Sequence, residues 1–113
     1  MIKPLLILSL STLLSFNAHA EDQAVKSISP ERLTINGAQA TLGMSLNWNQ
    51  PRPHIERAVI VLHGRLRNAP TYLRSIERAA NQSRQRSKTL LIAPQFLDEK
   101  DIVAHHMADN VLR

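Results

Sequence analysis

The sequence predicts an α/β domain that opens with a β-hairpin and continues into a β-α-β crossover. Three features carry that reading: an Asn36-Gly37 pair, an unbroken aliphatic run at 58–62, and a helical apolar stripe leading to a second aliphatic run at 89–93. Arg32 to Ile35 alternates polar and apolar residues, as a half-buried strand does. Asn36-Gly37 suits a two-residue hairpin turn, in which both positions take positive φ. Ala38 to Leu42 is then the returning strand, bending at Gly43 and continuing through Leu46 and Trp48. Gln50-Pro51-Arg52-Pro53 stops the sheet and forms a stiff connection.

Ala58-Val59-Ile60-Val61-Leu62 shows no alternation, so it reads as a strand buried on both faces, as in a parallel sheet. His63-Gly64 ends it. Pro70 suits a first helical turn, and Tyr72, Leu73, Ile76, Ala79 and Ala80 recur at helical spacing. Arg84, Arg86 and Lys88 cluster where that helix should finish, where cations complement the helix dipole; an anion site is the other reading. Thr89 to Ala93 is a second strand, closed by Pro94, and a right-handed crossover joins the two. Glu21 to Glu31 is polar, holds Ser29-Pro30, and reads as a mobile lead-in. After the charged break Asp98-Glu99-Lys100-Asp101, the segment 102–112 reads equally as a short helix or an irregular loop.

A chain of 113 residues holds one small domain, and with 4% aromatic residues its core must be aliphatic. The formal charge of +5 comes from basic residues spread along the chain, without a nucleic-acid-binding motif, so nucleic acid is not expected as a partner. The absence of cysteine excludes disulfides, a thiol nucleophile, Cys-ligated zinc and a lipoprotein anchor. His105-His106 supplies no metal site, because adjacent histidines point apart and no carboxylate spacing supports them. No cofactor is expected.

The first 20 residues read as a signal peptide: Lys3 is the positive n-region, Leu5 to Leu14 the apolar core, and Ala18-His19-Ala20 the peptidase signal. The apolar run is shorter than the roughly 20 residues a membrane span needs, so no membrane span is expected. The domain is then 21–113, and the product is periplasmic or secreted. Expression in a bacterium is expected to yield a periplasmic or extracellular product whose N-terminal residue, by Edman sequencing, is Glu21; a membrane-bound product retaining Met1 would show the reading to be wrong.

His63-Gly64-Arg65 follows the first aliphatic strand, where Gly64 permits a tight turn and the Arg65 amide can point into a cleft above the sheet. In that setting, the segment ERAVIVLHGRLRNAPTYLRSIERAA resembles the strand, oxyanion loop and following helix of the α/β-hydrolase superfamily. TLLIAPQF is similar to that fold's next strand, and the hairpin before Pro51 is similar to its two opening antiparallel strands. The tail, with Phe96-Leu97, Asp101-Ile102, Ala104-His105 and Leu112-Arg113, resembles an exported bacterial branch of these serine hydrolases. The resemblance implies an oxyanion-hole donor on the backbone of Gly64 and Arg65, with the Arg65 side chain uninvolved. It casts His63 as a packing and hydrogen-bonding residue rather than a general base.

The family's nucleophile sits in Gly-x-Ser-x-Gly on a turn after a later strand. The nearest match here, Gly43-Met44-Ser45-Leu46-Asn47, lacks the second glycine and precedes the oxyanion strand. Asp109, His105 and His106 are badly placed for the triad acid and base. The resemblance therefore implies the N-terminal part of an α/β-hydrolase with an incomplete sheet and no catalytic residues of its own; the parent would act on a small-molecule ester. It also implies an unprotected edge on the Ala58–Leu62 strand, whose partner strand is absent. The alternative is a small non-enzymatic periplasmic or secreted binding module.

Overall fold

The computed structural model describes residues 23–113, so the signal-peptide reading of 1–20 lies outside the described residues. Four strands and two helices follow in the order β1 (Glu31–Ile35), β2 (Ala38–Met44), β3 (Arg57–Ile60), α1 (Ala69–Gln82), β4 (Thr89–Gln95) and α2 (Glu99–Ala104). One mixed sheet, ordered β1-β2-β4-β3, makes this a small α/β fold. The β1–β2 and β2–β4 pairs are antiparallel, and β3–β4 is parallel across the α1 crossover.

The hairpin forms where the turn chemistry requires it. Asn36 and Gly37 take φ of 50° and 84°, the double positive φ of the favoured hairpin turn, and Ile35 pairs with Ala38 across it. The returning strand is shorter than expected and stops at Met44, with Trp48 in the turn beyond. Ser45 ends it by satisfying Leu91 twice: its N–H donates to the Leu91 carbonyl (3.0 Å) and its hydroxyl accepts from the Leu91 N–H (2.9 Å).

β4 is the axis of the sheet. It continues past Pro94 to Gln95, although a proline removes a ladder donor. The register explains the tolerance. Ile92 accepts from the Val61 N–H on the β3 side, so the alternation also turns position 94 toward β3. Because β3 has ended by then, the missing N–H deprives no neighbour.

Helix α1 lies over β4 and β2. Gly43 and Ala93, paired across those strands, make room for it. A Cβ on Gly43 would stand 2.9 Å from Leu73 Cδ2. Gly43→Val is therefore expected to cost about 1–3 kcal/mol by overpacking, read as a lower denaturation midpoint with an unchanged slope.

The helix ends at Gln82 without a cation in its last turn. The expected dipole complement is thus replaced by ion pairs: Arg86 lies 3.6 Å from Glu77, and Lys88 lies 3.3 Å from Glu56.

Two further expectations are corrected. The lead-in is fastened, not mobile: Val25 and Ser29 are buried, and Val25 packs with Leu97, Ile102 and Val111 in a second small core. This works because the tail folds back. After α2, the Gln39 N–H donates to the Asn110 carbonyl and the Leu112 N–H to the Gln39 carbonyl, both at 2.8 Å, tying the tail parallel to β2. The second correction concerns β3, which is not buried on both faces. It is an edge strand, exposed along its length, because only β4 lies beside it among the described residues.

Candidate functional site

The sequence points to the loop after β3, and the structure places that loop at the carboxyl ends of the two parallel strands. The Arg67 N–H donates to the Gly64 carbonyl at 3.1 Å, closing a turn over 64–67. The left-handed position in it is Arg67, with φ of 56°, not Gly64. Gly64 instead stands at a close approach: a Cβ there would lie 3.0 Å from the Tyr72 hydroxyl of α1.

His63 clasps the loop to the end of β4. Its Nε2 accepts from the Phe96 N–H at 2.9 Å, so Nδ1 carries the proton and donates to the Gly64 carbonyl at 2.7 Å. The ring also stands tilted against Phe96, with centroids 5.6 Å apart. With both nitrogens engaged by backbone, His63 serves as a structural clasp in this arrangement.

Arg67 is the second fastening. Its Nε donates to Asp101 Oδ2 at 2.7 Å, and its Nη2 to Asp101 Oδ1 at 3.2 Å, a bidentate pair. Nη2 also donates to the Gln23 carbonyl at 2.9 Å. Asp101 is fully buried and accepts two backbone N–H groups as well, from Val25 (2.8 Å) and Asp98 (2.9 Å). The latter belongs to a capping box, in which Asp98 Oδ1 accepts from the Asp101 N–H and so starts α2. Burial by itself would raise the Asp101 carboxyl; the hydrogen bonds from Arg67, Asp98 and Val25, with the Arg67 charge, outweigh it and hold the group below its ordinary value of 3.8.

Gln95 makes the third fastening from the last residue of β4. Its Oε1 accepts from the Ser29 N–H at 2.7 Å, and its Nε2 donates to the carbonyls of Ser27 (3.1 Å) and Arg67 (2.9 Å). Loop, lead-in, β4 and α2 are thereby joined by the side chains of three residues, Arg67, Gln95 and Asp101. A cleft of about 450 Å³ adjoins the loop, lined by Lys26, Ser27, Leu66, Asn68, Thr71 and Arg74 among others, with no carboxylate on its wall.

Sequence reasoning singled out Gly64 and Arg65 and missed the three fastening residues. Gln95 had a signal: a lone amide closing an aliphatic strand needs partners if it is buried. Asp98-x-x-Asp101 had the spacing of a capping box. Nothing in the local pattern marks Arg67, whose partner lies 34 positions away.

Among the described residues no group of three or more His, Asp or Glu side chains could hold a metal ion. None of their helices is long and apolar enough to cross a membrane. No protein-family model, no curated protein and no solved structure matches the chain.

Proposed function

We propose that the chain is the N-terminal part of an exported α/β-hydrolase, and that the loop at 63–68 is its oxyanion loop. The observation that carries this reading is the fastened turn at the carboxyl ends of β3 and β4. A backbone donor stabilises a developing oxyanion only if it is held before the reaction, and such a donor is worth roughly 2.7–4 kcal/mol. Here His63, Arg67 and Gln95 anchor the turn to β4 and α2 around Gly64 and Arg65. The hairpin beside a parallel pair also supports it, since the resemblance calls for two opening antiparallel strands before the crossover.

In this reading the Arg65 N–H is the donor, Gly64 admits Tyr72, and the parent hydrolyses an ester or related acyl bond through a serine. The chain contributes the oxyanion loop and no nucleophile, because it contains no Gly-x-Ser-x-Gly. It is expected to show no turnover of activated acyl esters above buffer, and a fluorophosphonate probe should label no serine. Stoichiometric labelling, at Ser45 or elsewhere, would overturn the assignment. Reading the coding DNA beyond the Arg113 codon tests the parent directly: an encoded Gly-x-Ser-x-Gly supports the hydrolase, and its absence contradicts it.

One observation favours the second reading, a non-enzymatic exported binding module. Lead-in and tail close a small core of their own around Val25, Leu97, Ile102 and Val111, as a self-sufficient fold would. A stop codon after Arg113 with no hydrolase remnant downstream selects that reading.

A further inference from the structure

The cleft beside the loop has two walls, the lead-in at 23–27 and the segment 66–74 that enters α1. Both ends of the lead-in wall are tied across to the other. Arg67 Nη2 donates to the Gln23 carbonyl at 2.9 Å, and Gln95 Nε2 bridges the carbonyls of Ser27 and Arg67. The walls are thus held at a fixed spacing before anything binds, which removes much of the ordering cost of a ligand site. At about 450 Å³ the space suits a small molecule and not a folded partner.

The charge on these walls has one sign. Lys26 and Arg74 are exposed, and neither has a carboxylate partner among the described residues. The carboxylates at the start of α2 are already matched. Asp101 accepts from the Val25 N–H and from Arg67, and Asp98 lies 3.4 Å from Arg67 and 3.9 Å from Lys100. Two positive charges therefore remain for whatever enters the cleft.

The neutral groups narrow the choice of anion. Thr71 Oγ1 accepts from Arg74 Nη2 at 3.1 Å, so its hydroxyl hydrogen is left to donate. Asn68 lines the same wall, and its side chain makes no capping hydrogen bond. Ser27 adds a second hydroxyl from the lead-in. A carboxylate offers one charge and two oxygens to this set. A phosphate monoester offers three terminal oxygens and roughly two charges at neutral pH, which match both cations. Leu66, 44% exposed, and Pro70 give the cleft an apolar side as well.

We propose that this cleft binds a small phosphate monoester with an apolar body. Lys26 and Arg74 neutralise the phosphoryl group, Thr71, Ser27 and Asn68 donate to its oxygens, and the organic part lies against Leu66 and Pro70. The inference goes beyond the hydrolase reading and does not rest on it, since it uses neither the Arg65 donor nor the edge of β3.

Isothermal titration calorimetry of the 113-residue chain with phenyl phosphate is the test. Saturable one-to-one binding that weakens with added salt is expected. Inorganic phosphate, which lacks the apolar body, and benzoate, which carries one charge, should each bind about tenfold more weakly. Benzyl alcohol should not bind. Lys26→Ala and Arg74→Ala should each lose about tenfold, whereas Arg84→Gln, which removes an exposed cation beyond α1, should bind as the unaltered chain does. The ligand series holds without any variant having to fold. The proposal is overturned by the absence of saturable binding, by equal affinity for any comparison ligand, by unchanged affinity in Lys26→Ala/Arg74→Ala, or by an equal loss in Arg84→Gln. Co-sedimentation with phosphatidate vesicles without binding of phenyl phosphate would also overturn it, by assigning the cations to a lipid surface. None of these readouts involves acyl chemistry, so a failure here is distinct from a failure of the hydrolase reading.

Discussion

Asp101→Ala is expected to cost about 3–5 kcal/mol, the penalty for removing one partner of a buried ion pair. The Arg67 side chain is only 13% exposed and would keep its charge without its main counter-ion. The N–H groups of Val25 and Asp98 would lose their acceptor at the same time. Against a total of about 5–15 kcal/mol for a small domain, the variant is expected to lose its cooperative thermal transition or to show it at a much lower temperature. The loss should also be spatially ordered: amides of the lead-in, the 64–67 turn and α2 should exchange with solvent together, ahead of those of β4. The double variant Arg67→Met/Asp101→Leu separates the pair from the position. Removing both charges should cost less than either single change if the interaction dominates; additive losses would show that packing does.

The same carboxylate sets an acid limit. Because Asp101 is held below 3.8 in the folded chain, its contribution is intact above that value and is lost as pH falls below it, through the folded value. Acid unfolding should therefore steepen below about pH 4 in the parent chain and be shallower in Arg67→Met/Asp101→Leu.

What the sequence made legible is local. Asn36-Gly37 announces a hairpin because two positive-φ positions leave few other options. The helix start follows from Pro70, and its apolar stripe from spacing alone. The errors share a different cause, which is that burial belongs to neighbours and not to the residue. The run Ala58 to Leu62 has the composition of a central strand, yet its Val59, Ile60 and Leu62 are exposed because no strand flanks it on the far side among the described residues. The lead-in has the composition of a tether and is held because Asp101 and Gln95, more than 60 positions away, accept its N–H groups. For the candidate site, position was readable from His63-Gly64 at the end of an aliphatic strand. The fastening was not, since Arg67, Gln95 and Asp101 meet only through the fold.

Gln95→Glu is expected to be nearly as damaging as Asp101→Ala at neutral pH, and its pH dependence should run the other way. The amide is suited to its place because it carries both polarities: Oε1 accepts from the Ser29 N–H, and Nε2 donates to the Ser27 and Arg67 carbonyls. A carboxylate keeps the first bond and replaces the donor with an oxygen facing two carbonyls at hydrogen-bond distance. Gln95 is 2% exposed, so water cannot relieve the repulsion, and a loss of about 3–5 kcal/mol follows. Burial and repulsion both favour the protonated form, raising the folded-state pKa of the introduced carboxyl above its unfolded value. The penalty is then full above the folded value and shrinks as pH falls through it, when the new O–H can donate to one of the two carbonyls. Denaturant midpoints measured across pH should therefore rise for Gln95→Glu on mild acidification, before the loss of Asp101 reverses the trend near pH 4. Gln95→Leu, lacking a titratable group, should be destabilised without the rise. If both variants show the same flat profile, Gln95 is not the buried donor to Ser27 and Arg67, and the turn at 64–67 is held by His63 and Asp101 alone.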